Sequence, residues 1–118
     1  MGNIEASAAL DIAKTMILPA AVRHLGTLYA VGPASRAVAN MCERMGAQVD
    51  ELSDAIDELE HAAHAAHEAK DVHDEAKAFV DDVIPAQARL REIADELETV
   101  VADDLWPLPK YRELLFQY

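Results

Sequence analysis

Three apolar stripes, each stepping by threes and fours, constrain this chain more than any other feature of it. In the second, Val38, Cys42, Met45, Val49, Leu52, Ile56, Leu59, Ala63 and Ala66 alternate four and three apart without a break. That spacing is a heptad seam, and it keeps its apolar side chains on one face only if the backbone is helical. The third stripe repeats it with Val72, Ala76, Phe79, Val83, Ala86, Leu90, Ile93, Leu97 and Val100. The first carries Leu10, Ala13, Ile17, Ala20, His24, Leu28 and Val31, and is widened by Ile12, Met16 and Leu25. A wider stripe implies two neighbours, so residues 12–29 are expected to form the central helix.

The breaks between stripes set the topology. Gly32-Pro33 ends the first helix, which begins near residue 3 with Asn3 as its cap. Ala34 or Ser35 opens the second. No glycine or proline separates the second stripe from the third. A single helix over residues 34–103 would run about 105 Å at 1.5 Å per residue and leave most of its seam unburied. A turn near residues 70–74, with Asp71 or Asp74 as the new cap, resolves this. The expectation is an all-α domain, an up-down-up antiparallel three-helix bundle with helices at about 3–31, 34–69 and 72–104 and a tail over 105–118. Pro19 and Pro85 each lie inside a helical pattern, where the missing amide and the ring predict a bend or a local opening.

Composition narrows the function. The formal charge is −12, and residues 50–104 hold 18 acids against four bases. Such a surface repels phosphate backbones and anionic lipid, so neither nucleic acid nor membrane is expected as a partner. No uncharged apolar run is long enough to span a bilayer, and MGNIEAS lacks a basic segment followed by an apolar one; a cytoplasmic protein is the expectation. The single cysteine, Cys42, falls on the second seam and reads as a buried thiol. Met16, Met41 and Met45 read as fillers of core gaps.

Two local patterns invite chemistry. His61, His64 and His67 step by three beside Glu60, Glu68 and His73. Such spacing can share a metal, but three-residue steps carry the ligands round the helix and off the seam. They are read as a solvated helix end, with a weak metal site as the minority candidate. The many Asp and Glu residues are read as solvated faces, because general acid–base catalysis needs a pocket that no sequence displays.

The tail differs in character. In DDLWPLPKYRELLF (103–116), Pro107 and Pro109 stop any helix, and Trp106, Pro107, Pro109, Tyr111, Leu114, Leu115 and Phe116 form an apolar cluster expected to dock on the bundle or on a neighbouring subunit. That stretch, with AKTMILPAA (13–21) and the VIPA…LREIADELE segment (83–98), resembles the C-terminal helical region of type III glutamine synthetases, over nearly the whole chain. The tail pattern W-P-x-P-x-Y-x-x-x-L-F is its most specific part, and residues 32–74 carry no specific match. The resemblance implies a parent enzyme that joins ammonia to glutamate with ATP and divalent metal, in large ring-shaped oligomers. The ATP, the metal and the catalytic residues would lie outside this region. The chain is therefore expected to have no catalytic, cofactor-binding or metal residues of its own, to serve assembly or regulation, and to partner the parent's catalytic domain or identical subunits. The alternative is an independent acidic helical adaptor or weak metal-binding bundle.

Overall fold

A computed structural model of the chain describes residues 2–101, and these are helical, in three rods. The first rod comprises α1 (Gly2–Ile12), a π turn (Ala13–Ile17) and α2 (Leu18–Val31). The second is α3 (Arg36–His67). The third comprises α4 (Val72–Ala78), a second π turn (Phe79–Val83) and α5 (Ile84–Val100). Among the described residues no strand occurs, and no helix is long and apolar enough to cross a membrane.

The second and third rods start where the residue types direct. Ser35 is extended (φ −145°, ψ 126°), and its Oγ accepts from the Val38 amide at 3.2 Å, satisfying one of the unpaired donors of the first turn. Of the two candidates for the third rod, Asp71 is the cap: its Oδ1 accepts from the Asp74 amide at 2.8 Å. Asp74 becomes a first-turn acid beside Glu75, at the positive end of the helix dipole. The first rod begins at Gly2, so Asn3 lies inside α1 and not before it. At the other end of that rod Gly32 stays right-handed and opens a short 3-10 turn, Gly32–Ala34, and the chain breaks at extended Ser35.

Both internal prolines are met by the same device. The Leu18 amide donates to the Ala13 carbonyl and the Ile84 amide to the Phe79 carbonyl, each five residues back, where an α-helix would reach four. Pro19 and Pro85 follow at once. A proline ring crowds the carbonyl four residues before it, and the wider π spacing loosens the ladder there.

The second π turn also corrects the third stripe. Val72 is 82% exposed and Ala76 is exposed, whereas Glu75, Ala78 and Phe79 are half-buried and Val83, Ala86, Leu90, Ile93 and Leu97 are buried. A π turn holds one extra residue and so rotates α4 by about 100° relative to a seam extended back from Val83. The buried edge moves accordingly from positions 72 and 76 to 75 and 78. At the far end Val101, and not Val100, takes the last core position: α5 stops at Val100, and the extended Val101 (φ −76°, ψ 137°) turns its side chain inward to 4% exposure.

The central helix is α3, which corrects the assignment to residues 12–29. It packs against α1, α2, α4 and α5, and its seam is buried or half-buried at every position, with Leu52 and Leu59 fully enclosed. In the first rod Ala13, Ile17, Ala20 and Ala21 are buried and Leu10, His24, Leu25 and Leu28 are half-buried. Ile12, Met16 and Val31 are exposed instead, so of the residues that widen that stripe Ile12 and Met16 face outward and only Leu25 packs against the core.

One core joins the three rods, from Ala6 and Ala21 through Leu52 and Leu59 to Val83 and Leu97. Glu58 pairs with Arg89 of α5 and Glu60 with Lys14 of the first π turn. These two acids flank Leu59, about 100° to either side of it on a helix. Leu59 therefore points between the two outer rods while its neighbours bridge to them. Glu60, by accepting from the Lys14 ammonium, holds that group's pKa above its usual 10.5; partial burial opposes the shift, and Asp11 and Asp57 add to it.

Candidate functional site

The histidines do not converge. His61, His64 and His67 all lie on the solvent side of α3. His64 Nε2 is 3.3 Å from Glu68 Oε1, with the two side chains 73% and 66% exposed, an i,i+4 surface contact. No group of three His, Cys, Asp or Glu among the described residues could hold a metal ion. Zinc titrated calorimetrically into the chain is expected to bind weakly. Sub-micromolar one-to-one binding that vanishes in His61→Ala/His64→Ala would reverse that assignment. Cys42 is a buried free thiol, and a methyl group placed on Gly32 would stand 3.6 Å from its sulfur.

The tail residues Trp106, Pro107, Pro109, Tyr111, Leu114, Leu115 and Phe116 lie outside the described residues. The structure does show a concave feature beside the end of the described residues. A cleft of about 410 Å³ opens where α2, α3 and the end of α5 meet. Six residues of α3 line it, and five of them, Met41, Arg44, Met45, Gln48 and Glu51, recur at spacings of three and four, which is one helix face. From α2 come His24 and Leu28, one turn apart, and from α5 its last residue, Val100. Leu28, Met41, Met45 and Val100 make an apolar wall, and His24, Arg44, Gln48 and Glu51 make a polar rim.

The cleft was only partly legible in the residues. Leu28 and Met45 sit on their seams, but Arg44 and Gln48 fall beside theirs and carry no signal of their own. Met41, read as a core filler, is 41% exposed, and Met16 is 44% exposed; Met45 alone of the three is buried, at 2%. A cleft with one carboxylate, one guanidinium and one imidazole on its rim is equipped to bind an apolar group with a charged neighbour. It presents no nucleophile beside a base, the minimum for covalent chemistry.

Comparison with known proteins supports the resemblance carried by the tail and the two proline segments. The chain is similar to type-3 glutamine synthetase of Dictyostelium discoideum, 28% identical over an alignment of 127 residues that covers 97% of this chain and 17% of that protein. It is also similar to a glutamine synthetase of Bacteroides fragilis (strain YCH46), 46% identical over 43 residues, 36% of this chain and 6% of that protein. The chain thus spans a small part of the length of the relatives it matches. No protein-family model matches it.

Proposed function

We propose that this chain is the non-catalytic C-terminal helical domain of a type III glutamine synthetase, in which it serves assembly or regulation of the ring. The observation that carries the reading is the match of 97% of the chain to one small part of a type-3 synthetase. The reaction of such an enzyme, ATP-dependent joining of ammonia to glutamate, then belongs to a catalytic domain elsewhere, which also binds the ATP and divalent metal. The partners of the helical domain are that catalytic domain or identical subunits in the cytoplasm.

In this reading the three rods run up, down and up. Two contacts of the first rod with α3 support antiparallel pairing: Gly32 lies beside Cys42, and Lys14 pairs with Glu60. Residue numbers fall on one rod as they rise on the other. Each proline bends its rod at the π turn that precedes it. The acidic surface, with a net −12 over the chain, favours a protein partner over nucleic acid or anionic lipid. The adaptor alternative draws no support from the histidines, which face solvent separately.

An assay of the 118-residue chain with glutamate, ammonia, ATP and magnesium is expected to yield no glutamine above a protein-free blank. Turnover there would overturn the non-catalytic assignment. A synthetase catalytic domain encoded immediately upstream is the matching expectation, and an unrelated upstream sequence would count against the parentage.

A further inference from the structure

We infer that the cleft between α2, α3 and the end of α5 is the seat of this chain's own C-terminal tail, with Trp106 as the side chain that fills it. The inference concerns residues of this chain alone and does not depend on the synthetase reading.

Position comes first. Val100 forms part of the cleft wall, and the next residue, Val101, is buried, with its amide donating to the Leu97 carbonyl at 2.9 Å. The chain is thus pinned to the core where it leaves the described residues, and its continuation starts at the mouth of the cleft. Trp106 follows five residues later, a reach of up to about 16–18 Å in extended backbone. A tail supplied by its own chain therefore has only a short path to cover.

Size and polarity agree. A cavity of about 410 Å³ has the volume of roughly 14 waters at about 30 Å³ each, room for an indole and an adjoining aliphatic group. Leu28, Met41 and Met45 offer the apolar and polarizable surface on which an aromatic ring packs, sulfur–aromatic contacts included. Charge agrees as well. Asp103 and Asp104 precede Trp106, and Arg44 stands on the cleft rim. Residues 1–49, which supply most of the lining, hold four bases and three acids, against four bases and 18 acids over residues 50–104, and the rim's one carboxylate, Glu51, is matched by Arg44. Pro107 and Pro109 restrict the free tail and lower the entropy lost when it is ordered.

Trp106 is the single tryptophan, so its emission reports the tail without further labelling. In a Cys42→Ala background, a nitroxide is attached either at Ala37→Cys, on exposed α3 surface one turn before the cleft, or at His61→Cys, about 36 Å further along the same helix. Loss of most of the indole emission with the label at 37, none with the label at 61, and the same result in dilute and concentrated protein are the expected outcomes. Equal emission from both labelled chains would overturn the inference. So would quenching that appears only on concentration, which would place a second copy's tail in the cleft. As a measurement free of the label, Met41→Glu on the cleft wall is expected to shift Trp106 emission to the red while helicity stays unchanged. An unshifted spectrum in a folded Met41→Glu protein would also sink the proposal.

Discussion

Leu59→Ala is expected to cost about 3–5 kcal/mol, the upper part of the range for leucine truncation at an enclosed site. Leu59 is fully enclosed in the C-terminal half of α3, between the directions of Glu58 and Glu60, each of which pairs with a different outer rod. Truncation there removes the γ-methine and its two methyl groups, and it leaves a cavity that three rods must close together; movement of one rod toward it is resisted by that rod's other contacts with α3. The Glu58–Arg89 pair, with side chains about half exposed, contributes at most about 1 kcal/mol, so Glu58→Ala serves as the contrast. Against a total stability of about 5–15 kcal/mol for a domain, the leucine change removes a large fraction and the glutamate change a small one. Urea unfolding followed by circular dichroism checks both. A loss below about 1 kcal/mol in Leu59→Ala would show that the rods do not converge on this residue.

Trp106→Ala is expected to cost about 3 kcal/mol, as for other buried aromatics, because a docked indole removes about 150–250 Å² from water. The effect should be independent of protein concentration, since the tail and the cleft belong to one chain. Most of it should also be retained in high salt, which screens attraction between charged groups but not apolar packing. An unchanged melting temperature, together with native emission already at the solvent-exposed position, would rule out docking in this chain.

The seam of α3 was readable residue by residue. Every position from Val38 to Ala66 in the heptad register is buried or half-buried, because a long unbroken helix keeps one phase along its length. The starts of the second and third rods were readable for a different reason, narrowed to Ala34 or Ser35 and to Asp71 or Asp74, since a capping side chain bonds to an amide three residues on and needs nothing distant; the structure chose Ser35 and Asp71. Val72 and Ala76 failed where the phase was carried across a π turn. The prolines announced a disturbance at those places, but residue types do not say whether the ladder bends or takes up an extra residue. Of the cleft, the apolar members were visible as seam residues, whereas Arg44 and Gln48 belong to it only through the approach of α2 and α5.

Periodicity and capping are properties of one segment and its immediate neighbours, and the residues alone determine them: helices, their starts, and which face of α3 is apolar. The tail pattern and the two proline segments belong to the same class of information, and they carried the likeness to type III glutamine synthetase. Which helix lies at the centre is a different kind of fact. The breadth of the stripe in the first rod pointed to residues 12–29, yet Ile12 and Met16 face outward and α3 takes the middle. Burial is a relation between segments: an apolar side chain is enclosed only if another rod arrives at its height and on its side. That depends on how three rods of unequal length share one core, with phases already shifted by two π turns, and no stretch of the chain carries that information separately.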